Sequence, residues 1–140
     1  IVDGQHVSPE TLRIALRCKP HDRFMLVTDA MPSVGSKSKE FVLQGKRIIA
    51  RDGACLDENG RLAGSDLDMA WAVRNTTELL NVPVETALLM ASTAPATFLG
   101  LNADRGVIAV DRCADLALLG DDLIVRETWI GGAQENHSAT

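Results

Sequence analysis

Two residues of this chain are placed where they could do chemistry, an aspartate closing an apolar run and a histidine in an earlier loop. The run is Met25-Leu26-Val27-Thr28, and Asp29 follows it directly. The run reads as a strand buried on both faces, of the kind found in parallel sheets. A carboxylate at the end of such a strand is costly unless it has a partner or a task. Reacting groups collect at the C-terminal ends of parallel strands, because the loops there form the cleft. Asp29 therefore either caps a turn, pairs with an arginine, or works. His6 lies in the loop after the preceding strand end, Ile1-Val2, on the same rim if the two strands run parallel. An imidazole and a carboxylate on neighbouring strand ends can form an acid/base and substrate-orienting pair, whereas a lone loop histidine reads as solvated. His21 and His137 fall in a turn and in the tail and receive no role.

Other chemistry-bearing groups carry weaker signals. "RLAGSD", residues 61–66, places small residues and backbone N–H groups at an expected helix start, where polar or anionic groups can bind. Ser65 explains the same pattern as a cap, and Asp66 and Asp68 as complements to the helix dipole. Trp71 and Trp129 read as core. A mononuclear metal centre needs about three protein ligands, and no His-x-His or suitably spaced Glu/His set is present, so no metal ligand is assigned. Cys18, Cys55 and Cys113 are widely spaced and odd in number, which suggests reduced thiols in a cytoplasmic setting.

The elements that would position these groups follow from local chemistry. Ser8 as N-cap, Pro9 at the first helical position and Glu10 in the first turn open a helix that Lys19-Pro20 stops. Strand end, helix and strand make a βαβ unit. Residues 40–62 read as a β-excursion of two or three antiparallel strands, with Gln44-Gly45, Asp52-Gly53 and Asn59-Gly60 supplying the positive φ angles of tight turns. Helices follow from Ser65, with Asp68 completing a capping-box-like start, from Pro83 to Ser92, and from Thr93 to Leu99, closed by Gly100. "GVIAV", "ADLALLG" and "IVRETWIGG" read as strands, and residues 133–140 as a polar, frayed tail.

Composition bounds the function. With 46% hydrophobic and 24% charged residues in 140, the chain has the makeup of an ordinary globular domain. A net charge of −5 with scattered basic residues provides no footprint for nucleic acid or an anionic membrane. No apolar run is long enough to span a bilayer. The chain opens on "IVDGQHVSPE" as though already inside a strand, so it is expected to be a piece of a longer protein.

Taken together and in order, "DGQHV", "LVTDAM", "DGACLDENGRLAGSDLDMAWAVRN", "MASTAPATFLGL", "GVIAVDRCADLALL" and "TWIGG" resemble the C-terminal part of the N-acetylglucosamine-6-phosphate deacetylase family, within the amidohydrolase superfamily. The resemblance runs from residue 1 to about residue 132. It implies an α/β fold: the C-terminal part of a metal-dependent-hydrolase (β/α)8 TIM barrel, its last two strands and their helices, plus C-terminal strands of a small β-domain. Residues 1–100 would belong to the barrel, with the insert at 40–62, and residues 101–132 to the small domain. Ile1-Val2 would end barrel strand seven, Phe24 to Thr28 would form strand eight, and the helix from Ser65 would complete the barrel.

By the same resemblance, Asp29 matches the catalytic aspartate that takes a proton from the attacking water and delivers it to the departing amine. His6 matches the histidine that contacts the sugar and helps polarise the amide, and Leu62, Ala63 and Gly64 match the segment touching substrate. The implied reaction converts N-acetylglucosamine 6-phosphate to glucosamine 6-phosphate and acetate. The implied cofactor is a divalent metal ion of the zinc or iron class. The family's metal ligands, a Glu and two His, lie upstream of residue 1, as do the phosphate-holding residues, so this stretch alone is expected to be inactive. A homodimer is implied for the full-length protein. Asp111 stands where superfamily members commonly have Gly. Two other readings stay open: an amidohydrolase acting on a different N-acyl or cyclic amide, and a non-enzymatic fragment or interaction module.

Overall fold

The structure, a computed structural model, describes residues 1–135; the expected roleless His137 and the end of the expected frayed tail lie outside the described residues. Helix α1 (Pro9–Leu16) starts where its punctuation predicts, the Ser8 hydroxyl accepting the Thr11 N–H at 3.3 Å. Its Leu12 and Leu16 pack on a core of Val2, Leu26, Val73, Leu80, Val82, Ala87 and Met90. A single 3-10 turn at His21–Arg23 then leads into the apolar run.

That run is not the doubly buried strand expected. Leu26 is buried, while Met25 and Val27 on either side of it are exposed. Strand pairing requires backbone neighbours, and among the described residues residues 24–28 have no ladder partner. The Leu26 N–H instead donates to the Met90 carbonyl at 2.9 Å, and an isolated parallel bridge joins Ala30 to Ser65. Ile1-Val2 likewise forms no ladder, although Val2 is buried in the core.

The insert is a four-stranded antiparallel sheet in the order β1 (Glu40–Leu43), β2 (Lys46–Arg51), β3 (Ala54–Asp57), β4 (Leu62–Ser65). Gln44-Gly45 and Asp52-Gly53 both have positive φ at their two central residues, the tight hairpin geometry their chemistry favours. The third connection is longer, and Asp57 Oδ1 holds it by accepting the N–H groups of Asn59 (2.8 Å) and Arg61 (2.9 Å). Ile48, Ala50 and Cys55 form a second core, covered by Met31, Phe41 and Ala63.

"LAGS" is thus a strand rather than a loop at a helix start. Helix α2 (Met69–Leu80) begins later, and its N-cap is Asp68, whose carboxylate accepts the Trp71 N–H at 2.7 Å. Ser65, expected to cap the helix, instead donates its hydroxyl to the Thr28 carbonyl at 2.6 Å. α3 (Val84–Ala91) and α4 (Thr93–Phe98) follow closely on their expected bounds. Trp71, expected in the core, is exposed in the first turn of α2, and Trp129 is half-buried.

β5 (Leu116–Leu119), β6 (Val125–Ile130) and β7 (Ala133–Gln134) form a second antiparallel sheet. The start of the expected frayed tail is therefore paired, Ala133 with Ile130 and Gln134 with Trp129. "GVIAV" forms no strand: Ile108 and Val110 are 87% and 88% exposed, and no neighbouring strand is offered to them among the described residues. Among the described residues no helix is long and apolar enough to cross a membrane.

Candidate active site

The loop "DGQH" is built around the side chain of Asp3. Its Oδ1 accepts the backbone N–H groups of Gln5 (2.9 Å) and His6 (3.0 Å), an Asx-type turn in which Gly4 takes φ +73°. Its Oδ2 lies 2.6 Å from His6 Nδ1. A carboxylate has no proton to give, so Nδ1 is the donor. The Asp3 side chain is 1% exposed and that of His6 17%. Burial pushes the Asp3 carboxyl up, but hydrogen bonds from the His6 and Gln5 backbone, together with the His6 ring, outweigh it and hold the group below its ordinary value. The loop is tied to α2 by Asn75, whose side-chain amide donates to the Val2 carbonyl at 2.7 Å.

With Nδ1 fixed on Asp3, the opposite edge of the ring faces Asp29. His6 Nε2 lies 3.9 Å from Asp29 Oδ2, too long for a hydrogen bond but close enough for both to reach one small group. Among the described residues His6 is the one ion-pair partner of Asp29, so the alternative of an arginine-paired aspartate is not what the fold builds. The Asp29 side chain remains 57% exposed.

The backbone of Asp29 is held much more firmly than its side chain. Its φ of +55° lies in the left-handed region, which few residues other than glycine enter without local support. Strand β4 supplies that support. The Ser65 N–H donates to the Asp29 carbonyl (2.8 Å), the Met31 N–H donates to the Ser65 carbonyl (2.9 Å), and the Ser65 hydroxyl donates to the Thr28 carbonyl (2.6 Å). Gly64 permits this approach. A Cβ there would sit 3.0 Å from the Asp29 carbonyl oxygen and 2.4 Å from Met31 Cγ, and Gly64 itself has φ +112°.

The three residues of the expected substrate segment therefore occupy different surroundings. Gly64 lies against Asp29, the Ala63 side chain packs on the second core, and Leu62 is exposed where β4 begins. Asp66 is not a dipole complement. Its carboxylate is largely buried, Oδ2 pairs with Lys39 Nζ at 2.8 Å, and Oδ1 has no hydrogen-bond partner among the described residues. Neither Asp3 nor the Ser65 clamp was anticipated from sequence. An aspartate three residues before a candidate histidine was the available signal for the first, whereas nothing local announced the second. Cys55 is a buried free thiol whose pKa is raised mainly by burial, and Cys18 and Cys113 are also free.

Among the described residues no group of three or more His, Cys, Asp and Glu comes together to hold a metal ion. Those residues by themselves do not hold the divalent metal that the resemblance implies.

Residues 3–134 match the amidohydrolase family. The chain belongs to that family. It is 35% identical over its full length to N-acetylglucosamine-6-phosphate deacetylase of Vibrio furnissii, covering 35% of that protein. It is 41% identical to N-acetylgalactosamine-6-phosphate deacetylase of Shewanella sp. (strain ANA-3) over 94% of this chain and 33% of that one. The crystal structure of N-acetylglucosamine-6-phosphate deacetylase from Pasteurella multocida superposes with a TM-score of 0.90 at 33% identity, covering 96% of this chain and 35% of that one. The amidohydrolase chain thus spans about a third of the length of these relatives. The α/β character expected from the sequence agrees with this likeness.

Proposed function

We propose that this amidohydrolase chain carries the proton-transfer side of a sugar-phosphate deacetylase that hydrolyses N-acetylglucosamine 6-phosphate to glucosamine 6-phosphate and acetate. The observation that carries the reading is the Asp3–His6–Asp29 arrangement, in which an anchored imidazole and an exposed carboxylate face each other at 3.9 Å. Its support is the likeness to deacetylases over nearly the whole chain.

In this reading Asp29 accepts a proton from the attacking water and returns it to the departing amine, a shuttle suited to an exposed carboxylate on a fixed backbone. His6 contacts the sugar and polarises the acetamide carbonyl through Nε2. The segment Leu62, Ala63 and Gly64 borders the substrate. Residues 1–100 form the last part of a (β/α)8 barrel carrying the insert, residues 101–132 contribute to a small β-domain, and the intact protein is a homodimer.

A second reading has its own support, since the relative of 41% identity acts, by its name, on N-acetylgalactosamine 6-phosphate. Acetate release by the intact protein from both sugar phosphates, with hydantoin as a cyclic amide, separates the readings. We expect kcat/KM for the glucosamine derivative to exceed that for its epimer by about tenfold or more. The reverse order would transfer the assignment to the second reading. Turnover of hydantoin alone, or of nothing, would overturn both.

A further inference from the structure

We infer that Asp3 is a positioning residue of this site, fixing which His6 nitrogen carries a proton and which meets the substrate. The inference rests on the proposed deacetylation and adds to it a residue that touches neither the sugar nor the reacting atoms.

The geometry divides the work of one buried carboxylate between its two oxygens. Oδ1 is saturated by the backbone N–H groups of Gln5 and His6, which build the loop. Among the described residues the hydrogen bond to Oδ2 comes from the ring, Nδ1–H donating at 2.6 Å. A side chain that merely shaped the turn would need the first oxygen alone. The second fixes the rotation of the imidazole and obliges Nδ1 to be a donor, so Nε2 is the nitrogen turned to Asp29. Nε2 can donate to an acyl oxygen on which negative charge is building only once the ring has taken a second proton there; the ring then carries positive charge, and the Asp3 carboxylate at its back balances it. Among the described residues the ring's ion-pair partners are Asp3 on one edge and Asp29 on the other.

Asp3→Asn separates the two functions. The asparagine carbonyl can replace Oδ1 and keep the turn, which places the amide NH2 where Oδ2 was. An N–H then points at Nδ1, which must become an acceptor. The ring proton moves to Nε2, and the doubly protonated ring is disfavoured because two donors would face each other.

The test is carried out on the intact protein with 15N-labelled histidine. Two-bond 1H–15N correlation spectra report the tautomer, and steady-state acetate release from N-acetylglucosamine 6-phosphate reports the chemistry. The expected result is a parent ring whose Nδ1 carries a proton in both the neutral form and the doubly protonated form that serves the acyl oxygen, and a neutral ring protonated at Nε2 in Asp3→Asn. With this change kcat should fall about 100-fold or more, while KM moves by less than about threefold. A Asp3→Asn protein that keeps the Nδ1–H tautomer overturns the inference, and so does one that switches tautomer without loss of kcat. Asp3→Ala, which also loses the turn, should show a mixed tautomer and lower stability; an unchanged single tautomer there also overturns it. A parent protein that releases no acetate would instead sink the deacetylase reading, and the spectra would still decide the part played by Asp3.

Discussion

Replacing Gly64 by alanine probes the contact that holds Asp29 in place. The residue has φ +112°, a conformation that costs an L-amino acid about 1–3 kcal/mol. The added Cβ would meet Met31 Cγ at 2.4 Å and Sδ at 2.8 Å, and the Asp29 carbonyl oxygen at 3.0 Å. Met31 is flexible and can swing away at modest cost. The carbonyl cannot, because it accepts the Ser65 N–H. Adding about 1 kcal/mol for this overpacking gives a total loss of roughly 2–4 kcal/mol. Urea unfolding of the intact protein, followed by circular dichroism, reads that loss as a lower midpoint. Displacement of Asp29 by even part of an ångström should also lower kcat by about 10- to 100-fold. Introducing Met31→Ala beside Gly64→Ala separates the causes: most of the cost should persist, because backbone strain and the Asp29 carbonyl remain. A Gly64→Ala protein within about 0.5 kcal/mol of the parent and of normal turnover would refute both the clamp and its link to Asp29.

Further perturbations probe other parts of the structure. Asp29→Asn should cut turnover by about 1,000-fold while its unfolding midpoint stays close to the parent's, the side chain being exposed; near-normal turnover would remove Asp29 from the proton path. Asp68→Ala deletes the acceptor for the Trp71 N–H and should cost about 1 kcal/mol in urea unfolding, whereas Ser65→Ala should instead disturb the Asp29 region and activity. The Asp3 carboxyl is held below its unfolded value, so the stability it contributes is fully present above the unfolded pKa of about 3.9. That contribution is lost as the pH falls through the folded value, and Asp3→Asn should make the acid side of a stability–pH curve shallower; an unchanged slope would contradict the assigned shift.

Much of this site was legible because its signals are local or positional. Asp29 was singled out by an apolar run ending in a carboxylate, and His6 by its place after the preceding segment. The fold brings both together even though neither segment forms a ladder among the described residues. The hairpin turns at Gln44-Gly45 and Asp52-Gly53 were readable because positive φ is a property of those residue pairs. Other local signals misled. Ser65 and Asp68 matched a capping pattern, yet the Ser65 hydroxyl reaches the Thr28 carbonyl, 37 positions away in the chain. "GVIAV" had the composition of a strand but has no pairing partner among the described residues, and β propensity is expressed only where a neighbour accepts the edge.

The sequence by itself determined the punctuation of α1, the tight turns at Gln44-Gly45 and Asp52-Gly53, the family and the two facing residues of the candidate site. Each depends on chemistry within a few residues or on an ordered set of motifs. Only the tertiary structure decided that β4 is a strand, that Asp68 caps α2, and that Asp29 sits in a left-handed conformation under a glycine. It also showed that one carboxylate, Asp3, both shapes a loop and holds the ring of His6. These outcomes turn on which of several local hydrogen-bond choices a distant segment arrives to complete, and that competition is settled by packing.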